Sequence, residues 1–278
     1  MYKKMCGFFA VLLTLACLLS GCGSGSTEKV EGLDQLGDIK AFTREADSGT
    51  RASFDDLTGI SSEADSITEA ESTDELLKAV GGDKGAIGYL TATAVDKTVK
   101  TLTVNGKSWS DKKYPLTRKL YLVYKGTPSD LEREFITYAT GKGQEIVKED
   151  FEPIQSPTTF LSLKPSGSLK IGGSSSEAPV MEKLAEAYMK ENPNAKVTVE
   201  TTDSGTGING ALQGQYDLGM SSRQPKDYEK NLLTFEPVAK DSIAVVVEDT
   251  NPLNNITTDQ LKEIYTAKMT KWSDFNDR

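Results

Sequence analysis

The four residues Asp-Ser-Gly-Thr occur twice in this chain, at 47–50 and at 203–206. Each copy follows a short run suited to a strand, "DIKAF" and "AKVTVETT", and each leads into residues able to continue as a helix. A strand that feeds a helix through a Ser/Gly turn, repeated along one chain, points to an α/β fold with largely parallel sheets covered on both faces. In such sheets ligands sit at the carboxyl ends of strands, where helices begin. A third turn of the same kind, "GGSSSEAP" (172–179), precedes a run in which Met181, Leu184, Ala185 and Tyr188 share one helical face.

Other elements follow from local signals. Ser72 with Glu75, Ser129 with Glu132 and Thr257 with Gln260 have the spacing of capping boxes, and Ile256 with Leu261 forms a hydrophobic staple. "GAIGYLTATAV" (85–95), "RKLYLVYKG" (118–126), "LKIGG", "YDLGMSSR" and "SIAVVVED" read as strands. From Gly141 to Lys170 the chain becomes rich in Pro, Ser and Thr, which predicts a linker. The last segment, "KWSDFNDR", shows no finishing element.

With 278 residues the chain can bury one large or two medium cores. A formal net charge of −9 argues against nucleic-acid or anionic-membrane partners, which would repel it at long range. Histidine is absent, which removes Ser-His-Asp catalysis and His-based metal sites. The lone S-x-x-K, "SDKK" (110–113), lies in a polar turn, so no covalent chemistry, cofactor or metal is expected. "MYKK" followed by "GFFAVLLTLACLL" reads as a secretory leader over 1–21. Its end, Leu19-Ser20-Gly21-Cys22, resembles the lipobox of bacterial lipoproteins, which implies acylation of Cys22 and a flexible tether over 22–34. Cys6 and Cys17 leave with the leader, so no disulfide is available to the mature chain.

A helix N-terminus presents unpaired backbone N–H groups and a partial positive charge, so it can hold an oxyanion without a lysine. Most Ser-rich turns are simple N-caps, but three of them at strand-to-helix junctions suggest a shared anion. Arg44, four residues before Ser48, is placed to add a bidentate pair of hydrogen bonds. Arg51, one turn into the helix, is expected on solvent or an acidic neighbour. The formal G-x-G-x-x-G match at Gly205, Gly207 and Gly210 lacks an acidic residue at the end of the next strand, which argues against a dinucleotide.

"GGSSSEAPVMEKLAEAY", "TTDSGTGI", "DLGMSSR", "DSIAVVVEDTNPLNNITTDQLKEIYTAKMTKWSDF" and "FTREADSGTRASF" resemble segments of the phosphate-binding proteins that feed the Pst-type ABC importer. The resemblance implies a two-lobed type II periplasmic-binding-protein fold that captures inorganic phosphate outside the cytoplasm and presents it to an ABC permease. It further implies a monomer that meets the membrane through its lipid anchor alone. In that family the "GSSS" segment comes first and "TREADSGTR" follows "WSDF", so the order here implies a circular permutation with new ends between Phe275 and Ile39. The implied lobes are 35–116 with 250–278 and 117–151 with 168–249, and a linker over 152–167 would join what are the chain ends in the family's usual order. Ligand contacts carried over fall on Arg44, Ser48, Gly49, Thr50, Ser175, Ser176, Ser204, Gly205, Thr206 and Ser222. Ser222 stands where well-known members have an Asp that accepts the ligand's proton, which leaves discrimination against sulfate to Asp47 or Asp203, or weakens it. N-cap duty is the competing role for both Asp residues. The same fold binding sulfate or molybdate, or a surface or signalling protein that keeps the fold without the pocket, stays open.

Overall fold

Two runs of the chain, 30–116 and 243–277, build one lobe, and the run between them builds the other. The computed structural model describes residues 29–277, so the leader, Cys22 and most of the tether lie outside the described residues. The first lobe begins with β1 (Lys40–Arg44), α1 (Gly49–Thr58), β2 (Thr68–Ala70), α2 (Thr73–Gly81), β3 (Ala86–Thr91), β4 (Val99–Thr101) and β5 (Thr103–Val104). The second comprises β6 (Thr117–Tyr124), α3 (Asp130–Thr140), α4 (Gln144–Asp150), β7 (Glu152–Pro153), β8 (Gly167–Ser174), α5 (Ala178–Glu191), β9 (Ala195–Thr202), α6 (Ser204–Gln213), β10 (Leu218–Ser221) and α7 (Asp227–Lys230). Strand β11 (Thr234–Glu248) returns to the first lobe, which β12 (Asn255–Ile256), α8 (Thr258–Tyr265) and a 3-10 turn at Trp272–Asn276 complete.

Among the described residues one sheet runs through both lobes in the order β2-β1-β3-β11-β6-β10-β8-β9. Its flanks are parallel, as the strand-turn-helix pattern predicts. Its centre is antiparallel, because β6 and β11 carry the chain across between lobes and run side by side in opposite directions. Residues Thr234 to Ser242 of β11 pair with β6, and Ile243 to Val247 pair with β3. The change of lobe therefore falls at Ser242–Ile243 and not at the 249/250 boundary suggested by the sequence. The reason is alternation: Ile243, Val245 and Val247 point into the core shared with Phe54, Tyr89 and Trp272, so they belong to the first lobe.

Each half of the sheet is covered on both faces. In the second lobe, α3, α4 and α5 bury Phe135, Val147, Met181 and Leu184 on one side, and α6 places Ile208 and Ala211 against Tyr121 and Val123 on the other. In the first, Phe54 of α1 and Leu261 of α8 cover one face, and Leu76 and Val80 of α2 the other. The segment read as a linker contains a helix, α4, whose N-cap is Gly143 without a capping side chain, so no boundary signal marks it. Beyond α4 the strap of 154–166 is tied to α3, with Glu134 accepting hydrogen bonds from Ser162 Oγ and Leu163 N, both at 2.7 Å.

The two ends of the described chain meet. Ile39 N donates to Thr270 O at 2.8 Å, Trp272 N to Gly37 O at 3.0 Å and Val30 N to Asn276 Oδ1 at 2.8 Å. No helix of the described residues is long and apolar enough to cross a membrane.

Candidate oxyanion site between the lobes

The two Asp-Ser-Gly-Thr turns face each other across the cleft and touch. Gly205 N donates to Asp47 O at 3.1 Å, joining the start of α6 to the start of α1. Gly49 comes so close that a Cβ built on it would lie 2.2 Å from Ser204 Oγ and 2.6 Å from Ser222 Oγ. Only a residue without a side chain permits this approach. The third turn joins from the second lobe, where Ser176 Oγ and Thr50 Oγ1 are 2.9 Å apart. Ser222, just past β10, receives the hydroxyl of Ser53 on its carbonyl at 2.9 Å and donates its own amide to Ser204 Oγ at 3.0 Å.

Ser48, Gly49, Thr50, Ser175, Ser176, Ser204 and Ser222 thus come together, with Ser174, Glu45 and Asp203, around a space of about 130 Å³. It is too narrow to admit a water molecule. The amides of Gly49 and Ser204, first residues of α1 and α6, have no partner within their own helices. Three helix N-termini, those of α1, α5 and α6, therefore converge on one point with donors to spare. The groove leading there is lined by both lobes, from Thr73 and Thr91 on one side to Ser175, Pro179 and Lys183 on the other.

Some residues do other work than the sequence suggests. Thr206 is exposed, and its hydroxyl is spent on Asp203 Oδ2 at 2.6 Å, so it does not enter the site. Gly205 sits at the rim with its amide on Asp47. Asp203 is the N-cap of α6, accepting Thr206 N at 2.7 Å, while Asp47 caps nothing, because Ser48 Oγ accepts the amides of Thr50 and Arg51. Arg51 is held by Glu63 and Glu69, both at 2.7 Å.

Arg44 is 1% exposed, but its bidentate partner is not free for a ligand. Nε and Nη2 both donate to the carboxylate of Glu45 at 2.7 Å, Nη1 donates to Thr73 Oγ1 at 2.7 Å, and Nη2 reaches Ser175 Oγ at 3.4 Å. Glu45 could not be singled out from pattern, since neighbours on a strand point to opposite faces. It stands one residue beyond the end of β1 and turns back.

A second guanidinium, which no sequence motif marks, lies near the site. Arg118 of β6 is opposite Asp241 of β11 at the point where both strands cross between lobes. Nε donates to Asp241 Oδ2 at 2.9 Å, Asp241 Oδ1 accepts Thr91 Oγ1 at 3.0 Å, and Arg118 Nη1 reaches Ser222 O at 3.3 Å. Burial pushes the Asp241 carboxyl up and Arg118 down, each opposed by the other's charge. The available signal is a charged residue opening each of two apolar strands, "RKLYLVY" and "DSIAVVV".

The glycines of the formal dinucleotide fingerprint have a packing role here. A Cβ on Gly207 would lie 2.5 Å from Met220 O and 2.8 Å from Gly173 Cα, so its absence lets α6 settle directly on β8 and β10.

The chain matches the family described as the PBP superfamily domain over residues 31–142 and 159–278. It is 35% identical over 278 residues to the phosphate-binding protein PstS 2 of Streptococcus agalactiae, covering 93% of each. It is 34% identical over 121 residues to the phosphate-binding protein PstS of Staphylococcus saprophyticus, covering 41% of this chain and 38% of that one. A crystal structure of a phosphate ABC transporter phosphate-binding protein from Streptococcus pneumoniae superposes with a TM-score of 0.70 at 34% identity, covering 86% of this chain and 100% of the other. On this likeness in sequence and in fold, the chain belongs to the PBP superfamily and, within it, to the family of the PstS phosphate-binding proteins.

Proposed function

We propose that the protein captures inorganic phosphate between its lobes and delivers it to a Pst-type ABC permease. The observation that carries this reading is the meeting of the two Asp-Ser-Gly-Thr turns, one from each lobe, with the Ser174–Ser176 turn beside them. Three helix starts and a set of hydroxyls can replace the water around a small tetrahedral anion with fixed dipoles. Entry requires the lobes to part, since Thr50 and Ser176 bond directly to each other. The anion then takes over that hydrogen bond, the unspent amides and the hydroxyl protons. The ligand set is Ser48, Gly49, Thr50, Ser175, Ser176, Ser204 and Ser222, with Arg44 beside it.

Glu45 supplies the preference for phosphate over sulfate in this reading. It lines the space, and its carboxylate can accept a hydrogen bond from a protonated oxyanion but repels a fully ionised one. Calorimetric titration with phosphate and then sulfate near neutral pH tests both points. Phosphate is expected to bind and sulfate to bind at least about tenfold more weakly, a gap of roughly 1.4 kcal/mol. Glu45→Gln is expected to narrow that gap. Equal affinity of the unaltered protein for the two anions would remove phosphate as the cargo.

Two further parts of the reading concern the chain's layout. Cys22 is proposed as a lipid anchor on the outer side of the cell membrane, with a monomeric receptor beyond it. The segment order is proposed to be a circular permutation of that in relatives such as the S. saprophyticus protein. Its support is the stitched ends at Val30–Ile39 and Thr270–Asn276.

A further inference from the structure

Glu177 is fully buried, and neither of its carboxylate oxygens has a hydrogen-bond partner. It immediately follows Ser174–Ser176 and precedes α5, with its own amide on Ser174 O at 3.1 Å. The amides of Tyr121 on β6 and Ser221 on β10 are near enough to favour its charge, yet neither makes an aligned hydrogen bond. Among the described residues, the charge that acts on it is that of Arg118, which favours its ionised form.

We propose that Glu177 is an affinity-setting residue of the anion site: lodged behind the Ser174–Ser176 turn, its carboxyl decides how much of the Arg118 charge a bound anion feels. This rests on phosphate capture as read above. The argument is one of local charge. Arg44 is matched by Glu45, Arg118 by Asp241, and Arg223 by Glu229 through bonds of 2.8 and 2.7 Å. With these pairs closed, and Asp203 at the rim spent on capping α6, ionisation of Glu177 adds one more negative charge behind the turn. An ionised Glu177 would cancel part of the field of Arg118, whose Nη1 donates to the carbonyl of Ser222, and would repel the anion directly. The start of α5 favours a carboxylate, but complete burial without a hydrogen-bond partner opposes it more strongly. Burial accordingly pushes the Glu177 carboxyl well above the usual carboxylate range.

Phosphate dissociation constants of the unaltered protein and of Glu177→Gln, measured by calorimetry from about pH 5 to about pH 9, test this. Ionisation of phosphate and of the other groups is common to both proteins and cancels in the ratio of the constants. The ratio should be near one at the acid end. At the alkaline end the unaltered protein should have weakened relative to the Gln variant by at least about tenfold, the equivalent of one pKa unit of coupling. Glu177→Met, similar in length and without an ionisable group, should match the Gln variant and guards against a folding defect in either one. A constant ratio across the range, or a Gln variant already tenfold weaker at the acid end, overturns the proposal alone. Failure of every protein to bind phosphate overturns it together with the reading on which it rests.

Discussion

At the residue scale, the spacing of Arg44 to Ser48 points to a turn that the structure places between the lobes, but not to Glu45 as the partner of the guanidinium. Strand periodicity says where a side chain points only while the strand lasts, and Glu45 lies one residue past it. Helical periodicity is equally silent on Asp55 of α1, whose half-buried cluster with Glu63 and Arg51 depends on a distant segment. Burial, and then the charge of Glu63, raises the Asp55 carboxyl to about 7, and its Oδ1 has no hydrogen-bond partner. Because its folded pKa lies above the unfolded value of about 3.9, the folded state holds the proton longer, and stability falls as pH rises between these values. Asp55→Asn should flatten that decline, as read from urea midpoints at about pH 5 and about pH 7. A decline of equal size in the variant would show that other groups cause it.

At the scale of elements, caps carried most of the legible information. Thr257 accepts Gln260 N at 3.1 Å while Gln260 Oε1 accepts Thr257 N at 2.9 Å, which is the reciprocal pattern read from the spacing alone. Thr257→Ala should cost about 1 kcal/mol. It is expected to lower Tm by about 2–4 °C, with phosphate affinity unchanged, because α8 lies away from the cleft. Without either a cap or a clear apolar face an element is not legible: α4 follows Gly143, which offers no capping side chain, inside the stretch whose composition predicts a linker. Strand β11 begins at Thr234, ahead of the apolar run "SIAVVVED", because the pattern there is interrupted by Pro237, which has no N–H to give. The strand tolerates it with a register shift between Pro237 and Ala239. The pairing of Arg118 with Asp241 was out of reach for another reason, since it depends on which two strands lie side by side.

At the scale of the molecule, alternation of strands and helices indicated the α/β class, and the repeated turn indicated where the lobes would meet. That the two copies touch is a property of the closed cleft and of Gly49, whose missing side chain no pattern marks as special. The adjoining ends permit a direct test of the proposed permutation. A chain that starts near Gly167, joins Asp277 through a short flexible loop to Val30 and ends near Pro153 should fold to the same two lobes and bind phosphate within about threefold of the original. The contacts of Ile39 with Thr270 and of Trp272 with Gly37 would then fall within a continuous stretch of chain. Loss of cooperative unfolding in that protein would argue against equivalence of the two orders. One feature of the cleft also bears on how long cargo stays. The hydroxyls of Thr50 and Ser176 form a latch of their own, so a departing ion is helped out by a serine–threonine handshake that re-forms behind it. Its dwell time is then governed by rivalry with that latch as well as by the strength of its own grip.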